Sequence, residues 1–88
     1  MVLKKFTYTK TDVYQEEKIV SFVFDTDSVS FVETNYRRNA SVDVDSTDAH
    51  IYSVIIYFNT FKICRVYEFY VESERDEMYD RFLEMCEI

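Results

Sequence analysis

The sequence predicts an α+β fold: a strongly curved antiparallel sheet or open barrel of five to six strands, with one C-terminal helix packed on it. Three observations carry that expectation. Before Ser73, most of the chain alternates apolar and polar residues at the two-residue period of β-strands. After Ser73 the apolar residues recur at the 3.6-residue period of an amphipathic helix. Neither Gly nor Pro occurs in the 88 residues, so turns must be built from Asn, Asp, Ser and Thr, whose side chains bond to nearby backbone.

The elements follow in order. A first strand spans Val2 to Lys10, with Phe6 and Tyr8 on one face and Thr7 and Thr9 on the other. Thr11 to Lys18 reads as a connection of ambiguous type. A second run, Ile19 to Phe24, is expected to pair with a third, Val29 to Tyr36, across the turn Asp25-Thr26-Asp27-Ser28, which sets Phe24 opposite Val29 and Phe22 opposite Phe31. Asn35 to Asn39 reads as a loop. A short edge strand, Ala40 to Asp45, follows, with Val42 and Val44 inward and Asp43 and Asp45 outward.

The clearest hairpin joins Ile51–Phe58 to Phe61–Val71 through Asn59-Thr60. A two-residue loop there pairs Phe58 with Phe61, Ile56 with Ile63, Val54 with Arg65 and Tyr52 with Tyr67. One face is then apolar except for Arg65, which must pair with a buried acid, snorkel at the sheet margin, or point into a binding groove. The opposite face, with Ile51, Ile55, Tyr57, Val66 and Tyr70, is too apolar to be wholly solvated. Ser73 suits an N-cap for a helix from Glu74 to about Glu87. Met78, Tyr79, Phe82, Met85 and Cys86 form its core-facing stripe.

Eight Phe and eight Tyr supply large apolar area to a chain that buries only about 60 to 65% of its unfolded surface. We read residues 1 to 88 as one domain. Cys64 and Cys86 are the only cysteines. Strand and helix rise leave them about 10 Å apart at best, beyond the ~7 Å reach of a disulfide, so two buried free thiols are expected. The first residues lack the apolar core of a signal peptide, and no run approaches the ~20 apolar residues of a membrane span, which predicts a cytoplasmic protein with no membrane partner.

Seventeen acids against ten bases give a net charge of −7. That balance disfavours direct nucleic-acid binding, whose affinity comes from Lys and Arg displacing counterions. A basic protein surface is the better match. Residues 72 to 88 hold seven acids and two bases and so supply −5 of the −7. Within them Glu77, Asp80, Glu84 and Glu87 follow i, i+3, i+7, i+10, which lines four carboxylates along roughly 15 Å of one helix face. No Lys or Arg in the last turn offsets the helix dipole. The bland reading of this face is a solvated surface that keeps the protein soluble.

Asp43, Asp45 and Asp48 form a second acidic group, with His50 just beyond. Carboxylates at that spacing can hold a hard cation, but an EF-hand loop needs Gly at its sixth position and Glu at its twelfth, where this chain has Asp48 and Val54. Outward charge that blocks edge-to-edge association explains the pair more simply. No metal or cofactor is therefore expected. His50 is the sole His, and a chain without Gly has neither a nucleophile elbow nor a phosphate loop, so catalysis is not expected. Lys4-Lys5 and Arg37-Arg38, with Phe6, Tyr8 and Tyr36, would suit a stacking platform for single strands, against the global charge.

These readings converge on a non-enzymatic protein, monomer or homodimer. It occupies a basic site on a partner, such as a nucleic-acid-handling enzyme, through Glu77, Asp80, Glu84 and Glu87 and the edge carrying Asp43, Asp45 and Asp48. In size and charge only, it resembles the acidic inhibitors that viruses and mobile elements use against such enzymes. The alternative is an assembly module that self-associates through a sheet edge or the second hairpin face.

Overall fold

The computed structural model describes residues 2–12, 14–38, 50–59 and 63–87. Five strands, β1 (Leu3–Thr11), β2 (Glu17–Asp25), β3 (Val29–Arg38), β4 (His50–Phe58) and β5 (Cys64–Phe69), precede one helix, α1 (Glu72–Cys86). The α+β class and the C-terminal helix agree with expectation. The strands form two antiparallel sheets, β1-β2 and β3-β4-β5, which do not close on each other. The expected edge strand Ala40 to Asp45 lies outside the described residues.

β1 and β2 form a hairpin in register from Leu3↔Asp25 to Thr11↔Glu17, so the ambiguous connection is its turn. Asp12 builds that turn: one carboxylate oxygen accepts from the N–H groups of Tyr14 (2.9 Å) and Glu16 (3.0 Å). Gln15 takes the left-handed conformation at φ 62°, a place glycine fills at less cost. Bonds from the Glu16 and Tyr14 amides and the Lys18 ammonium hold the Asp12 carboxyl below the usual carboxylate range.

The expected pairing of β2 with β3 is replaced. Phe22 pairs with Phe6 and Phe24 with Lys4, while Val29 pairs with Phe58 and Phe31 with Tyr57. The reason lies in residues 26–28, which wind into a 3-10 turn rather than a hairpin loop. Asp25 does bond nearby backbone, accepting from Asp27 N–H at 3.0 Å, but it also accepts from Val2 N–H at 3.1 Å and so ties the turn to β1. The chain then leaves for the second sheet.

β3 runs on to Arg38, so Asn35 to Arg38 are strand rather than loop, paired with Ser53 to His50. Partner strand β4 overrides their loop-like composition. Between β4 and β5 the register is Tyr52↔Phe69, Val54↔Tyr67 and Ile56↔Arg65, two residues from the expected one. Phe58 N–H donates to Ile63 O at 2.8 Å, which closes a four-residue connection instead of the two-residue Asn59-Thr60 loop. Thr60 and Phe61 lie outside the described residues. Because a slip of two preserves side-chain parity, the inward and outward faces are those predicted.

The helix begins at Glu72 with Val71 at the cap position and no side-chain cap, so Ser73 does not serve as N-cap. Glu74 instead turns to β1, its two oxygens accepting from Thr11 N–H and Thr11 Oγ1–H, each at 2.8 Å. Glu87 closes the helix in the left-handed conformation, its N–H donating to Glu84 O at 3.1 Å.

The core is built by Phe6, Tyr8, Phe24, Val54, Ile56, Phe58, Phe69, Met78 and Phe82, from every element but β3, whose Val29 and Val32 pack half-buried against it. Phe82 sits at its centre, 5.4 Å from the Phe6 ring and 4.8 Å from Phe24. Its truncation in Phe82→Ala is expected to cost about 3–5 kcal/mol, enough to unfold most of a small domain, as read by urea denaturation. Burial, with Tyr67 beside it, pushes the Tyr8 hydroxyl up to about 12. The folded state therefore favours the neutral phenol. Its contribution is complete below pH ~10 and is lost as pH rises toward 12, so thermal melts should fall over that window and fall less in Tyr8→Phe.

Candidate binding surface on the C-terminal helix

The inward side of α1 is fixed by packing. Met78 and Phe82 are buried, and Tyr79, Met85 and Cys86 pack half-buried against the same core, as the stripe predicted. Arg75 joins them, a buried guanidinium that periodicity did not flag. It bonds Asp76 at 2.7 Å, donates to Asn35 O at 2.9 Å and lies 5.5 Å over the Tyr52 ring. Arg81 donates to Thr7 O at 2.9 Å and lies 5.2 Å over Phe6. Both bases of the helix are thus spent on the sheets.

That leaves the outer side to acids. Glu77, Asp80, Glu84 and Glu87 are all exposed, and no side-chain hydrogen bond or ion pair engages any of them among the described residues. Glu74 and Asp76 are taken by Thr11 and Arg75. The last turn has no base of its own, as expected, yet Lys4 of β1 donates to Met85 O at 3.1 Å. A cation at the negative end of the dipole is supplied by tertiary contact.

Asp43, Asp45 and Asp48 lie outside the described residues, so the structure does not bring the second acidic group to the helix. His50 opens β4, exposed, with the Tyr36 and Tyr52 rings 6.2 and 6.4 Å away. No group of His, Cys, Asp and Glu among the described residues is arranged to hold a metal ion. Phe6 and Tyr8 are core residues and cannot stack on bases. Both cysteines are free, but Cys64 is exposed, correcting the expectation of two buried thiols. It sits on the outward face of β5, opposite Tyr57. Cys86 is half-buried, and burial pushes its thiol up, with Lys4 acting against that.

The outward face of β3-β4-β5 is partly covered by its own polar residues. Arg37 and Glu68 pair at 3.0 Å from β3 to β5 across buried Ile51 and Ser53. Tyr57 donates to Glu33 at 2.6 Å, a bond that raises its hydroxyl above the usual range, and stacks on Phe31 at 4.1 Å. Phe31 and Val66 remain about half exposed, at 50% and 54%.

Compared with family models, curated proteins and solved structures, the chain matches none. Among the described residues, no helix is long and apolar enough to cross a membrane.

The helix's carboxylates divide into two kinds, and stability measurements should separate them. Glu74→Gln removes one acceptor for Thr11 and is expected to cost about 1–2 kcal/mol. Gln at Glu77, Asp80 or Glu84 is expected to stay within ~0.5 kcal/mol of the parent.

Proposed function

We propose that this is a small acidic binding protein, acting in the cytoplasm, that occupies a basic site on a partner protein through the outer face of α1. One observation carries the reading: the helix's two arginines are turned to the sheets, while Glu77, Asp80, Glu84 and Glu87 stand exposed and, among the described residues, without a side-chain partner. Carboxylates spaced along a rod can stand in for backbone phosphates. A basic site that normally takes nucleic acid is therefore the fitting partner, and inhibition by occupancy is the fitting action. Neither catalysis nor a cofactor enters this reading. Asp43, Asp45 and Asp48 extend the surface in the same proposal. The two sheets are in this view halves of an open, strongly curved barrel, with α1 along one seam.

Affinity capture at low and then raised salt, with duplex DNA as competitor, tests it. A basic, nucleic-acid-handling partner that elutes as salt rises and is displaced by DNA is the expected result. Charge reversal at Glu77, Asp80 and Glu84 to Lys should abolish retention without lowering the melting temperature. Retention by that variant, or affinity indifferent to salt, would sink the proposal.

A second reading, self-assembly, is favoured by a different observation. Ile19 and Val23 on β2 are 75% and 63% exposed, and Phe31 and Val66 lie open on the other sheet. Such a module forms a homodimer whose sedimentation resists salt.

A further inference from the structure

Of the two edges of the first sheet, α1 bonds that of β1 and not that of β2. Thr7 O and Thr11 N–H meet Arg81 and Glu74, so the odd-numbered residues of β1 turn their backbone groups away from β2. In an antiparallel ladder the residues opposite do the same, and Thr7 lies opposite Ser21 and Thr11 opposite Glu17. Ile19, Ser21 and Val23 therefore point their N–H and C=O groups out of the free side of the sheet. Among the described residues no group bonds them there.

Folded proteins guard such an edge with Lys, Pro, a bulge or a covering element. The register of β3 breaks between Val29 and Phe31, and at β5 Lys10 Nζ donates to Glu68 O at 2.9 Å. In contrast, β2 runs nine pairs without a break, and its residues Ile19 to Phe24 carry no charge. Ile19 and Val23 are 75% and 63% exposed on its outer face. Uncharged segments of six residues, β-branched and aromatic and without Pro or Gly, are those that pair with their own kind.

The run is also symmetric about Ser21. An antiparallel second copy centred there sets the free N–H and C=O groups of Ile19, Ser21 and Val23 against their counterparts. On the outer face it lays Ile19 on Val23 of the second copy, twice, and on the inner face it sets half-buried Val20 beside Phe22. Ser21 meets Ser21, extending the row in which Thr7 Oγ1 and Ser21 Oγ already bond at 2.9 Å. Glu17 with Asp25 is the like-charged pair at each end. Moving the axis to Val20 or Phe22 puts Glu17 opposite Val23 or Asp25 opposite Ile19, so Ser21 is the centre that keeps charge off the apolar pairs.

We infer that β2 pairs edge to edge with β2 of a second copy about a two-fold axis at Ser21, joining two hairpins into one four-stranded sheet, β1-β2-β2-β1. The inference rests on the self-assembly reading and is independent of the acidic helix face. One strand pair buries less than the ~1,200 Å² of a standard interface, so the dimer exchanges with monomer.

Sedimentation over a range of concentrations, on the parent and on Glu17→Lys and Val23→Lys, both changes at exposed positions, tests the pairing. The parent should dimerise reversibly. Val23→Lys should weaken the dimer about tenfold, and Glu17→Lys, which makes each end pair opposite in charge, should tighten it several-fold. Both changes make the chain less negative, so a general charge effect would move them in the same direction. In the parent, amide hydrogen exchange should slow at Ile19, Ser21 and Val23 as concentration rises. A dimer that neither variant changes, that both change alike, or that forms without this protection overturns the edge pairing and leaves self-assembly standing. A monomer at every concentration overturns both.

Discussion

The rest of the structure depends on how α1 ties the open edge of β1 to the second sheet. Thr7 O and Thr11 N–H face away from β2, so neither finds a partner within its own sheet. Bare strand edges are both unsatisfied and prone to pair with other chains. Arg81 and Glu74 answer both from one helix, and Arg75 of the same helix donates to Asn35 O of β3. The same helix inserts Met78 and Phe82 between the sheets. With β1 bonded at both ends of α1, by Glu74 at Thr11 and by Lys4 at Met85 O, the helix runs antiparallel to that strand. This clamp holds together two sheets that share no strand pairing.

Lack of glycine leaves its mark at the turns. Gln15 and Glu87 occupy the left-handed region at φ 62° and 59°, where a side chain costs free energy that glycine avoids. Each is offset locally. Around Gln15, Asp12 accepts two backbone N–H groups and Asp12 N–H donates to Glu16 O at 2.9 Å. At Glu87, the helix C-cap bond to Glu84 O does the same work. Between the sheets, Asp25 and Ser28 hold a 3-10 turn that needs no positive φ at all.

What was legible in the sequence was periodicity, and what was not was partnership. Phe6, Tyr8 and the Met78–Phe82 stripe fell on the buried side because the two-residue and 3.6-residue periods decide facing without knowing the neighbour. The β4–β5 faces survived a two-residue error in register for the same reason. The β2–β3 hairpin failed because an Asp-rich turn is equally compatible with a 3-10 turn, and only the bond to Val2, remote in sequence, decides between them. Asn35 to Arg38 and the uncapped Ser73 failed likewise, through contacts made by β4 and β1. Of the candidate site, the helical line of acids was readable from spacing. The withdrawal of Arg75 and Arg81 was not, since i+3 and i+4 rules place charges on a helix but do not say which reach a neighbouring sheet.

That withdrawal changes what the acidic face means. A helix designed only for solubility gains from mixed charges, because interspersed Lys and Arg form i, i+4 pairs and soften repulsion. Here the bases are unavailable: moving Arg81 outward would leave Thr7 O without its partner, and moving Arg75 outward would break its bond to Asn35 O and its contact with the Tyr52 ring. The purity of the outer face is thus tied to the strand-edge clamp, and its repulsion is tolerated because the clamp requires the arginines inside. The acids themselves are under no such requirement. Among the described residues no side-chain hydrogen bond or ion pair engages Glu77, Asp80, Glu84 or Glu87, so the fold does not fix these four as acids, and that is the ground on which a partner at this face is proposed.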